Sequence, residues 1–145
     1  MADHNERWIM NRLIEMCRDE ELALQYAADH VKDPSARTLL MEFAARRAQF
    51  AADLLPHAQR LGGAEAADGT TRGALHRGWM ALKNALSRSS DRAMLTEAEH
   101  SEDLALATYE RALNEMLPPT ARDLVERQCA EIRLAHDRVH SCLSH

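Results

Sequence analysis

Residues 20–24 read Glu20-Glu21-Leu22-Ala23-Leu24, and residues 102–106 read Glu102-Asp103-Leu104-Ala105-Leu106. In both places a glutamate interrupts an apolar stripe. Around the first, Ile9, Leu13, Met16, Glu20, Ala23, Ala27 and His30 recur at alternating spacings of four and three, the seam of a bundle helix. The pattern predicts a helix from about Asn5 to Val31. Around the second, Leu95, Ala98, Glu102, Ala105, Tyr109, Ala112 and Met116 obey the same rule and predict a helix from about Arg92 to Met116.

The turn after each helix and the opening of the next are also repeated. Lys32-Asp33-Pro34 ends the first helix, because proline disfavours helical geometry in the residue before it and suits the first turn of a new helix. Leu117-Pro118-Pro119 turns the chain after the other. The next helix then opens as Pro34-Ser35-Ala36-Arg37-Thr38-Leu39-Leu40 in one case and as Pro119-Thr120-Ala121-Arg122-Asp123-Leu124-Val125 in the other. Two matches in the same order indicate a duplicated helical hairpin. The second helix carries Ala36, Leu40, Phe43, Arg47, Phe50, Leu54 and Leu61 and stops at Gly62-Gly63. The last runs from about Thr120 to Leu143 and presents Val125, Gln128, Ile132, Ala135, Val139 and Cys142.

Between the hairpins, Ala64 to Thr71 is small, polar and turn-forming. A shorter helix is expected from about Arg72 to Leu86, with Leu75, Trp79, Leu82 and Leu86 on one side and Gly73 and Gly78 permitting close backbone approach. Such a helix reaches roughly 22 Å at 1.5 Å per residue, enough with its flanking loops to cross most of a bundle's length. Two antiparallel hairpins joined by one crossover make the ferritin-like arrangement. The expected fold is therefore all-α, a ferritin-like antiparallel four-helix bundle with an additional crossover helix, in a single domain over residues 1–145.

Composition agrees. A chain of 145 residues with 46% hydrophobic content can bury one continuous core. Its aromatic share is 4%, so residues that keep their side-chain freedom in a helix dominate. The 18 basic and 23 acidic residues give a net charge of −5, and the arginines are scattered among the acids, which argues against nucleic acid as a partner. Cys17, Cys129 and Cys142 lie far apart and are odd in number, as suits a reducing cytoplasm better than a disulfide framework. The amino terminus has neither the basic region nor the apolar run of a secretory signal, and no stretch approaches the ~20 apolar residues of a membrane span.

The buried acids carry the chemical question. An unpaired carboxylate in a core costs several kcal/mol, so each needs an ion pair, a hydrogen bond, a proton or a metal. Counting equal distances from the Asp33 turn brings Arg47 level with Glu20, which predicts a structural Glu20–Arg47 ion pair. The same count from Pro118 brings Arg133 opposite Glu102, with Gln128, Ile132 and His136 about a turn away and no clear cation on the stripe of Glu102. A di-metal site in this fold takes one glutamate from each of two helices and a Glu-x-x-His pair from each of the other two. Glu20 and Glu102 satisfy the first half. Helix two has Arg46-Arg47-Ala48-Gln49 at the level of the second half, and Glu131 and His136 are five apart, on different faces. Glu99, one turn before Glu102, completes the set of candidate metal ligands: Glu20, Glu99, Glu102, Glu131 and His136. The other histidines read as solvated or as helix-end residues, and Cys17 and Cys129 as small apolar fillers. No catalytic spacing or phosphate-binding glycine loop is present.

The segment Gly73-Ala74-Leu75-His76-Arg77-Gly78-Trp79-Met80 resembles that of a bacterial ferritin-like four-helix-bundle family described only as a domain of unknown function. Lys32-Asp33-Pro34, Arg47-Ala48-Gln49-Phe50, Leu61-Gly62-Gly63, Tyr109 and Ala135-His136-Asp137-Arg138 extend the resemblance over nearly the whole chain. It implies a bacterial, cytoplasmic protein of ferritin-like fold and brings no established reaction. Members often have glutamate where this chain has Arg46, a departure that weakens any metal role here. The expected function is a non-enzymatic, stress-related or partner-binding bundle with a degenerate metal site and no cofactor. The alternative is an iron or manganese oxidase, ferroxidase or metal store; a homo-oligomeric scaffold is a third reading.

Overall fold

The computed structural model describes residues 2–62 and 90–144. They form four helices: α1 (Ala2–His30), α2 (Pro34–Arg60), α3 (Asp91–Leu113) and α4 (Pro119–Leu143). No strand occurs among the described residues. The expected Arg72–Leu86 helix and the Gly73–Met80 segment lie outside them.

Local chemistry sets the helix ends. Asp33 caps α2 by accepting a hydrogen bond from the Ala36 amide at 2.9 Å, and Pro34 fills the first turn, where an amide hydrogen would have no helical partner. At the other end Gly62 adopts φ +78°, and its amide donates to the Gln59 carbonyl at 2.9 Å. That left-handed cap is strained for any residue with a Cβ. Ser90 caps α3 through the Ala93 amide at 3.0 Å.

Helix α1 packs on α2 and α3 on α4, and the two hairpins meet through α1 against α3 and α2 against α4. Both of these meetings are antiparallel. Asn5 Nδ2 reaches Glu115 at 3.2 Å, whereas the Lys32 and Asp33 amides donate to the two carboxylate oxygens of Asp91 at 2.9 and 2.8 Å. On the opposite side Arg46 pairs with Glu131, and Arg138 with Glu42. Consequently α2 and α3 run parallel, and Gly62 and Ser90 stand at opposite ends of the bundle.

The core has two apolar halves. One centres on Leu13, Ile14, Phe50, Leu54 and Val125, the other on Leu24, Leu40, Phe43, Met94 and Val139. Glu20, Arg47 and Glu102 lie between them along their helices, all at most 5% exposed. A charged layer thus divides the hydrophobic interior.

Stripe positions in α1, α3 and α4 differ from the sequence reading. In α1, Leu24 and Val31 are buried, while Met16 and Ala23 are half-buried and His30 is exposed. A helix of 29 residues drifts about 20° per heptad from a strict seven-residue repeat, so a stripe drawn through Met16 and His30 walks off the core face. Helix α3 ends at Leu113 rather than Met116; Met116 is 82% exposed and Leu117 packs in its place. Cys142 is exposed in the last turn of α4.

Candidate functional site

Arg47 is the hinge of the charged layer. It is 1% exposed, and its guanidinium joins both inward carboxylates: Nε donates to Glu20 Oε1 at 3.0 Å and Nη2 donates to Glu102 Oε2. The fork of donors on a guanidinium allows one side chain to hold two acids. Ser101 Oγ donates to the second oxygen of Glu20 at 2.6 Å. Glu102 Oε1 is buried with no hydrogen-bond partner. The duplication explains the imbalance. Arg47 stands 13 residues after Pro34, and the residue 13 after Pro119 is Ile132, so the two repeats supply two glutamates and a single arginine.

Burial pushes the carboxyl of Glu102 up to about 8, with the charge of Glu20 acting in the same direction and Arg47 opposing. Glu20 is also raised by burial, against the pull of Arg47 and Ser101. Burial works against the charge on Arg47, but Glu20 and Glu102 more than offset it. Glu20 has donors on both oxygens and Glu102 on one, so of the two carboxyls it is Glu102 that takes up a proton more readily and Glu20 that is the better-satisfied partner of Arg47.

Beside this triad runs a chain of hydrogen bonds that the stripe pattern did not reveal. Tyr109 OH donates to Gln128 Oε1 at 2.6 Å, and Gln128 Nε2 donates to the Phe50 carbonyl at 3.3 Å. Because the tyrosine proton is so engaged, the Cys17 thiol is the donor in its 3.3 Å contact with Tyr109 OH. Burial raises Cys17 to about 12 and Tyr109 well above its usual value. Both are neutral, which removes Cys17 as a thiolate nucleophile. The sequence signal was the placement of Tyr109 and Gln128 on facing apolar stripes.

The remaining candidate ligands do not join the layer. Glu131 is bound to Arg46 at 2.7 Å on the surface, where both side chains are about half exposed. Glu99 meets His140 at 2.6 Å, and His136 meets Asp103 at 2.7 Å. Arg133, expected opposite Glu102, points outward to Glu110 at 3.2 Å. Arg47 is instead the cation of Glu102, reached across the bundle diagonal. A count along one hairpin brings only its own two helices level, so it cannot register a contact between α2 and α3. Among the described residues no group of three or more His, Cys, Asp or Glu side chains is arranged to hold a metal ion. The donor set at mid-bundle does not fit a di-metal centre: it offers two carboxyls, with a guanidinium between them.

No helix among the described residues is long and apolar enough to cross a membrane. No curated protein matches the chain. Residues 8–115 match the family described as a domain of unknown function, DUF2383, and the chain belongs to that family.

Proposed function

We propose that this protein is a ferritin-like bundle whose core carboxylates are structural, serving as a stress-related or partner-binding protein of the bacterial cytoplasm rather than as an enzyme. The observation that carries the reading is Arg47, whose guanidinium occupies the space between Glu20 and Glu102 and bonds to both. A cation held there repels a metal ion and uses the lone pairs a metal would need. The ferritin-like connection is supported by Gly62 and Ser90 lying at opposite ends, so that the chain joining the parallel helices α2 and α3 has a bundle's length to cover.

One observation favours the second reading, an iron- or manganese-binding oxidase, ferroxidase or metal store. Glu102 Oε1 is buried without a partner, and a carboxyl oxygen in that state is an available ligand. Metal binding would then require Arg47 to leave the layer, and Glu99, Glu131 or His136 to abandon their surface partners. Metal analysis after expression with added iron or manganese separates the readings. The expected result is far less than one ion per chain. About two tightly held ions per chain, lost in Glu102→Ala, would overturn the structural reading.

A further inference from the structure

We propose that the α2–α4 face is an isologous interface and that its occupant is a second copy of this chain, whatever the core carboxylates do. A trough runs between the two helices in adjoining stretches of about 560 and 530 Å³, which share Glu42, Arg138 and Ser141 in their walls. Its apolar lining includes Leu39, Phe43 and Ala135, and beside them Leu134 is 64% exposed. Leu134 and these residues form an apolar strip, and Glu42, Arg46, Glu131, Asp137 and Arg138 stand along its walls.

The charges around the trough identify the occupant. On α2, Glu42 is followed one turn later by Arg46; on α4, Arg138 lies opposite Glu42, and Glu131 opposite Arg46. Acid and base alternate as on a checkerboard. A half-turn about an axis in the plane of the face, whether along the helices or across them, brings Glu42 and Glu131 of one copy each over an arginine of the other, while Asp137, which also lines the trough, stands outside this pattern. The face is complementary to itself, which is the condition for an isologous contact. Its size is also suitable. Helices of 27 and 25 residues lying side by side present roughly 700 Å² at helical rise and diameter, close to the ~800 Å² per partner of a standard stable interface.

Sedimentation equilibrium of the full chain tests this. The wild type is expected to be a dimer, and Leu134→Glu and Glu42→Arg should each weaken association at least about tenfold while leaving the helical circular dichroism unchanged. Leu104→Glu, an equally exposed site facing the α1–α3 groove, should leave the dimer intact. A chain carrying E42R, R46E, E131R and R138E keeps both intrachain bridges and inverts the checkerboard, so it should pair with itself and not with wild type. A wild type that stays monomeric at about 100 µM, meaning that solvent or another part of the chain covers the face, overturns the proposal. So does a dimer unmoved by Leu134→Glu, or one broken by Leu104→Glu.

Discussion

At the scale of the residue, one arginine answering two buried acids makes the core sensitive to charge. Removing the cation alone, in Arg47→Met, leaves Glu20 buried opposite no counter-charge and should cost about 3–5 kcal/mol in denaturant unfolding. Replacing Glu20 and Glu102 by leucine in the same chain should recover most of that loss, because a well-packed apolar layer substitutes for an ion cluster at little cost. A triple variant no more stable than Arg47→Met would mean that the layer does more than neutralise itself. Glu102 adds a pH dependence. Its folded value of about 8 lies above the ~4.3 of an unfolded glutamate, so the folded state holds a proton that the unfolded state has lost. The resulting stability is complete below the unfolded value and disappears as pH rises through the folded one. Stability to thermal unfolding should therefore fall between about pH 5 and pH 8, by at most about 1.4 kcal/mol per pH unit, and Glu102→Gln, which mimics the neutral acid, should flatten the slope. Equal slopes in the two proteins would place the proton elsewhere.

The elements are joined by contacts that cross between hairpins. Asp91, the first residue of α3, accepts from the Lys32 and Asp33 amides at the α1–α2 turn. These two amides, Lys32 first, hold its carboxyl below the ordinary aspartate value. The bond pair is present above the unfolded value of about 3.9 and is lost as pH falls through the lower folded one. Asp91→Ala should cost roughly 1 kcal/mol and speed hydrogen exchange at the Lys32 and Asp33 amides, while exchange at the Gly62 end stays as it is. Unchanged exchange at both amides would show that the turn holds itself. Helix limits were largely legible because caps are local: Asp33 with Pro34 and Gly62 could be read directly. The α3 terminus was not, since Met116 fits the periodicity and only the packing of Leu117 decides which of the two enters the core.

For the molecule as a whole, hydrophobic spacing, caps and the repeated Glu-x-Leu-Ala-Leu stretches determined the four helices seen among the described residues, their order and the inward position of Glu20, Glu102 and Arg47. These depend on interactions within one turn or one hairpin, where sequence distance and spatial distance stay proportional. The tertiary structure decided what the layer is. It brought Arg47 across the diagonal to Glu102, sent Arg133, Glu131, Glu99 and His136 to surface partners, and linked Cys17 to Tyr109 and Gln128. Each of those outcomes depends on how one hairpin is rotated and raised against the other, and no local rule carries that information. A shift of a few ångströms between hairpins would exchange one set of partners for another without altering a single helical stripe.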